Sequence, residues 1–233
     1  GNSGSCGDNA TWTLTKNGVD GESNDTYALT ISGTGAITTA PWYTDYRLRI
    51  TDIVIEDGIT SIDNGAFVGC DAFTEITIPS TVETIGNNAF LGCDILTEIT
   101  IPEGVKSIGN NAFEKCIALD EITIPSTVET IGNSAFFDCT ALTKVTLKEG
   151  LKSIEDKAFY NCTNLTDITI PSTVETMGTS IFYECTSLTE ITIPSSVETI
   201  GEYSFYLCKG LKNVTIEEGV KSIGRSAFSG CTN

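Results

Sequence analysis

Eight cysteines, Cys70, Cys93, Cys116, Cys139, Cys162, Cys185, Cys208 and Cys231, recur at a constant step of 23 residues. Thiols can hold zinc, pair as disulfides or simply pack, and the spacing bears on which. Zinc sites draw on close pairs such as C-x-x-C that converge on one point. These thiols form a line, and the chain has no histidine to join them, so no metal is expected. Disulfides between neighbouring units survive on distance alone: adjacent turns of a stack lie about 4.8 Å apart, inside the Cα range for a bridge. Parallel Cβ vectors argue against them. Cysteine is also a small, soft hydrophobe and among the most buried residue types, and free, buried thiols are the reading the spacing favours. Cys6, outside the series, is expected to be more reactive than any of the eight.

Carboxylates form a second series. Asp52, Glu75, Glu98, Glu121, Lys144, Asp167, Glu190 and Asn213 hold equivalent positions, with Thr77, Thr100, Thr123, Thr146, Thr169, Thr192 and Thr215 two residues after the last seven of them. Carboxylates about 5 Å apart could imitate a retaining glycosidase pair or collect Ca²⁺. A catalytic site, however, is one place made special, and this column repeats one residue type along a solvated face. Absence of histidine removes the commonest general base. No catalytic residue, cofactor or enzymatic activity is therefore expected. The net charge of −18 and isoelectric point near 4.1 repel phosphate backbones and anionic lipid, which excludes nucleic acid as a partner.

A third series breaks the monotony. After the recurring phenylalanines Phe67, Phe90, Phe113, Phe136, Phe159, Phe182, Phe205 and Phe228 stand Val68, Leu91, Glu114, Phe137, Tyr160, Tyr183, Tyr206 and Ser229. Exposed aromatic strips are enriched at contact surfaces; alternatively the rings stack and cover the flank of a core. The candidate contact residues are thus Phe137, Tyr160, Tyr183 and Tyr206, together with Glu75, Glu98, Glu121, Thr77, Thr100 and Thr123 on the other face. A fourth column, Glu83, Lys106, Glu129, Lys152, Glu175, Glu198 and Lys221, alternates in sign until Glu175 and Glu198. It should pair across neighbouring units, serving register more than stability.

What must position these columns is a repeat. Self-similarity at this period signals a solenoid whose units contact only their neighbours. In Leu96-Thr97-Glu98-Ile99-Thr100-Ile101-Pro102 the apolar residues alternate as in a half-buried strand, and the proline ends the ladder. Val105-Lys106-Ser107-Ile108-Gly109 reads as a corner whose glycine supplies positive φ. Ala112, Phe113 and Cys116 fit one side of a short helical or 3₁₀ turn. Stacked, such units give an α/β right-handed solenoid with a parallel sheet, on the order of 40 Å long. Residues 48–233 supply about eight repeats, the last truncated. Residues 1–47 read as a β-hairpin cap, with Trp12-Thr13-Leu14-Thr15 and Tyr27-Ala28-Leu29-Thr30-Ile31 alternating around Asn17-Gly18 and Asp20-Gly21. Trp42 and Tyr43 complete the cover. The polar start, Gly1 to Ser5, resembles a cloning remnant and linker ahead of a mature chain, and the end at Cys231-Thr232-Asn233 suggests a fragment or a disordered tail. No apolar run is long enough for a membrane span.

The running pattern L-x-x-I-T-I-P-x-x-V-x-x-I-G-x-x-A-F-x-x-C, from about Leu48 onward, resembles the BspA-like, treponemal-type leucine-rich repeat. Departures are few: Asp63 and Glu155 replace the corner glycine, Met177 the isoleucine, and Ile181 and Ser204 the alanine. Ser32-Gly33-Thr34-Gly35 resembles a turn of that family's N-terminal caps. The resemblance implies a secreted or cell-surface protein that adheres to host or matrix proteins. Independently, the repeated surfaces of an extended acidic scaffold suit protein or glycan contact, and a monomer that does not insert into the membrane is expected. The alternative is a passive spacer that holds another domain away from the cell.

Overall fold

A computed structural model describes residues 2–233. Strands Asn9–Val19 and Asp25–Ile37 form an antiparallel hairpin, with Ser3–Ser5 added to its outer edge. Asp20 makes the turn, its Oδ1 accepting the N–H groups of Glu22 and Asn24 at 2.9 and 2.8 Å. Asn17-Gly18 lies within the first strand, at a bulge. The Ser32–Gly35 segment is not a turn either. It sits inside Asp25–Ile37, which pairs in parallel with Ile50–Ile55 through its first half and with Ile59–Ile62 through its last residues. The hairpin's second strand is thereby the first turn of the coil.

Each later turn has two strand segments. In the first, Glu75–Thr77, Glu98–Thr100 and their successors run parallel in a 23-residue register that sets Ile76 beside Ile99 and Thr77 beside Thr100. Because side chains alternate across a strand, the isoleucines point into the core and the glutamates and threonines to solvent. The second segment, Thr84–Ile85, Ser107–Ile108 and so on to Thr199–Ile200, buries its isoleucine or, at Met177, its methionine likewise, while Ile223 in the last turn is exposed. The result is a parallel β-solenoid with very little helix; among the described residues the α-helix is Tyr43–Tyr46.

The third side differs from the sequence reading. Its segments are neither helical nor 3₁₀ but chains of tight turns, such as Ala89 N–H to Gly86 C=O, Leu91 to Asn88 and Cys93 to Phe90, at 3.2–3.3 Å. Left-handed residues interrupt them twice per turn, for example Asn88 and Gly92, then Asn111 and Lys115. Between these turns Asn88, Phe90 and Gly92 all donate toward the following turn, to Asn110, Ala112 and Glu114 at 2.8–2.9 Å. A three-residue spacing of apolar side chains suits this arrangement as well as a helix, so the pattern alone could not separate them.

The corner glycine also has a different reason from the one expected. Gly109 is not left-handed. A Cβ there would lie 2.6 Å from Asn87 N and from the Gly86 carbonyl carbon, so glycine is needed because the backbone one turn back passes too close. Where the corner carries Asp63 or Glu155, a serine two residues earlier donates to its carboxylate.

The core is a column. Phe90, Phe113, Phe136 and Phe159 stack at centroid distances of 5.2–5.3 Å with planes within 5°. Burial of each contributes about 1.5–3 kcal/mol. Trp42 continues the column over Phe67 at 5.8 Å, donates its indole N–H to the Ala66 carbonyl at 2.9 Å, and meets Trp12 edge-on at 6.1 Å. Ile181 and Ser204 fit the alanine column fully buried, the serine donating to the Gly201 carbonyl at 2.7 Å.

Candidate functional site

The cysteines line the core beside the phenylalanines as free thiols. From Cys93 onward each member of the series donates its S–H to a phenylalanine carbonyl of the preceding turns, as Cys93 does to Phe67 at 3.1 Å and Cys139 to Phe113 at 3.1 Å. Burial pushes Cys70 and Cys208 up to about 12 and raises the enclosed members further, so these are packing groups and carbonyl partners, not nucleophiles. The expectation for Cys6 is overturned. It is fully buried between the hairpin and the first turn, and burial pushes its thiol up to about 11. Cys231, half-buried, is the most accessible of the nine.

Glu75, Thr77, Glu98, Thr100, Glu121 and Thr123 are all exposed on the outer face of the first strand segments. Glu75 and Glu98 stand directly opposite each other in the ladder. Between Glu98–Thr100 and Glu121–Ile124 the ladder is interrupted, and a groove of about 750 Å³ opens there, lined by Thr97, Glu98, Thr100, Asp120, Glu121 and Thr123 among others. One cation reaches its rim: Lys148 pairs with Glu103 at 3.2 Å across 45 residues of sequence. The Ser126 hydroxyl, ahead of Lys148, holds the Glu103 carboxyl below its usual range. The groove therefore offers hydroxyls and unneutralised carboxylates to a cationic or hydrogen-bonding ligand. Sequence reasoning found the residues but not the groove, because Glu98 and Glu121 sit in identical E-I-T-I strings.

The aromatic strip is real and half-buried. Phe137, Tyr160, Tyr183 and Tyr206 stack in succession at 4.7, 4.4 and 4.8 Å. Each ring face is covered by the next ring, so the strip shows solvent its edges and phenolic hydroxyls. Face-on stacking against a sugar has no room except at the two ends. Burial pushes the Tyr160 phenol up to about 12, which keeps it a hydrogen-bond donor.

The corner charges pair in one direction only. Lys106 meets Glu83 at 3.0 Å, Lys152 meets Glu129 at 3.6 Å and Lys221 meets Glu198 at 2.8 Å. All are exposed, worth about 0–1 kcal/mol each. A second contact, not foreseen, links the turns in between. Thr81, Thr127 and Thr173 each accept the N–H of a glycine one turn back, Gly58, Gly104 or Gly150, and donate to the carbonyl of the residue after that glycine. Where this alternation lapses, with Thr173 preceding Ser196, the Ser196 hydroxyl is buried without a partner. Both strand ladders are interrupted at the same junction, between Asp167–Ile168 and Glu190–Ile193 and between Thr176–Met177 and Thr199–Ile200.

Comparison with known proteins places the chain. Residues 42–139 and 106–233 match the BspA type leucine rich repeat region, in six copies. A leucine rich cell surface protein from Faecalibacterium prausnitzii is similar in structure, with 28% identity over 79% of this chain and a TM-score of 0.54; this chain spans 59% of that one. The T. pallidum leucine rich repeat protein TpLRR shares the fold at 22% identity and a TM-score of 0.56, over 94% of this chain and 86% of its own. The pneumococcal vaccine antigen PcpA does so at 22% and 0.58, over 97% and 67%. Among curated proteins none matches. Repeat pattern, coil and matched residues agree: this chain belongs to the BspA type leucine-rich repeat family.

Proposed function

We propose that the chain is a cell-surface or extracellular recognition module that adheres to a protein partner through the acid–threonine face, centred on the groove between Glu98 and Glu121. Residues 1–47 act as the cap that closes one end of the stack, and the coil works as a monomer. The observation that carries this reading is the groove itself, a concave break in the sheet whose lining is acidic on a chain of net charge −18. Such a surface selects basic segments of a partner, and it steers their approach from a distance set by ionic strength. Membership of a family with a cell-surface relative supports the location. The edge-on presentation of the aromatic strip favours protein over glycan as ligand.

The test is attachment of the purified chain to a panel of basic matrix proteins and glycans at rising salt. The expected result is salt-sensitive binding to proteins that the double charge reversal Glu98→Lys with Glu121→Lys removes, with the circular dichroism unchanged. An unmutated chain that attaches to nothing on the panel supports the spacer reading instead.

A further inference from the structure

The tyrosine ladder is a set of three phenols held face to face across consecutive turns. Tyr160 and Tyr183 stand 4.4 Å apart with planes within 8°, and Tyr183 and Tyr206 stand 4.8 Å apart at 28°. Tyr203 abuts Tyr206 edge-on at 5.7 Å. All are half-buried, so ring edges reach solvent while the rings stay in register. The thiols of the same turns, Cys162, Cys185 and Cys208, which would otherwise quench a tyrosyl radical, are buried and occupied with carbonyl partners.

The ladder also crosses an irregular junction of the coil. The junction between the turns of Thr173 and Ser196 lacks both strand ladders and the threonine–glycine clamp, and the corner position is glutamate in both turns, Glu175 and Glu198, where other neighbours pair glutamate with lysine. Tyr183 belongs to the turn before that junction and Tyr206 to the turn after it. A bond between these rings would join the two turns where both strand ladders are missing, and would close a loop of 23 residues.

We propose that the Tyr160–Tyr183–Tyr206 ladder is a site of intramolecular dityrosine formation, with Tyr183 as a partner in every product and a peroxidase using hydrogen peroxide as the one-electron oxidant. Each of two neighbouring phenols gives up one electron and its hydroxyl proton. The two phenoxyl radicals, as the rings swing out of the parallel stack so that their ortho carbons meet, form one carbon–carbon bond between those positions. Each ortho C–H proton then moves to oxygen and restores the phenol. The two electrons and two protons reduce one peroxide to two waters, so the protein loses two hydrogens in all. Cross-linking restricts the unfolded chain by the same reasoning that applies to other covalent staples, and the coil would gain resistance to opening at the junction where both strand ladders break.

The experiment treats the dilute chain with a heme peroxidase and hydrogen peroxide, then follows biphenol fluorescence and maps cross-linked peptides by mass spectrometry. The expected product is a monomer lighter by two hydrogens, with Tyr183 joined to Tyr160 or Tyr206 and a raised thermal midpoint. Tyr183→Phe, which keeps the stack, should abolish that product while leaving the fold intact by circular dichroism. Cross-links formed only between molecules, links confined to other tyrosines, an unchanged yield in Tyr183→Phe, or no coupling at all would each overturn the proposal.

Discussion

Thr127 fastens the turn before its own: its hydroxyl accepts the Gly104 N–H at 2.9 Å and donates to the Val105 carbonyl at 2.8 Å. One side chain thus satisfies a donor and an acceptor of its neighbour, in a coil whose units cannot fold alone.

Thr127→Ala leaves a part-buried N–H without its partner and should cost about 1–2 kcal/mol. Ser196→Ala, at the equivalent position, removes a hydroxyl that has no partner and should be neutral or stabilising. Urea midpoints of the two variants, compared with the parent, check the contrast; equal losses would contradict it.

Lys115 holds a left-handed conformation, φ 59°, in a column that begins with Gly69 and Gly92. A side chain in that region costs roughly 1 kcal/mol or more, so Lys115→Gly should raise the thermal midpoint. Gly109→Ala should do the reverse and sharply, because its Cβ would meet backbone of the preceding turn at 2.6 Å. Scanning calorimetry of both variants reads the opposite signs.

Thiol accessibility offers a third measurement. A reagent such as dithionitrobenzoate should label Cys231 in the native chain and all nine cysteines once it unfolds, with Cys6 silent until then. Folded thiols titrate above their ordinary value of 9.0, as Cys70 and Cys208 do at about 12. The unfolded chain therefore ionises first. Stability from this source is fully present below about pH 9 and falls as pH rises toward about 12. Denaturation midpoints across that window should decline steadily, and a flat profile would show that the thiols are not sealed.

Trp42→Ala removes the ring over Phe67 and the donor to Ala66. A loss of about 3–5 kcal/mol is expected for a buried aromatic. In a solenoid it should be felt first at the adjacent turns, as faster amide exchange around Phe67 than around Phe159. Uniform acceleration along the chain would contradict the capping role.

Much of the architecture could be read from spacing. A 23-residue step in Cys and Phe leaves no arrangement but equal turns, and alternation in Glu98-Ile99-Thr100-Ile101 assigns each side chain its face. The readings that failed share one cause, a residue type with two physical uses. Glycine serves both a left-handed bend and a close backbone approach, and at Gly109 the second applies. Apolar residues three apart serve both a helix and a run of tight turns around Phe113. Cys6 stood outside the series and was expected to be the reactive thiol, yet it is fully buried. The threonine clamps were present in the alternation of Gly58, Thr81, Gly104, Thr127, Gly150 and Thr173, but only the three-dimensional stack shows that each pair meets. The groove left no trace at all, since nothing local distinguishes its strands from their neighbours.

The in-line donors of the turn side carry an electrical consequence. Asn88, Phe90 and Gly92 send their N–H groups toward the next turn, and the carbonyls of Asn87, Ala89 and Leu91 face the previous one. Peptide dipoles therefore add along the axis, as they do in an α-helix, while the strand segments, whose dipoles largely cancel, add little. One flank of the tube behaves as a long macrodipole, negative at the Ala66 pole and positive toward Phe228. The Trp42 indole, placed with its N–H on the Ala66 oxygen, is an electrostatic terminator as well as a lid.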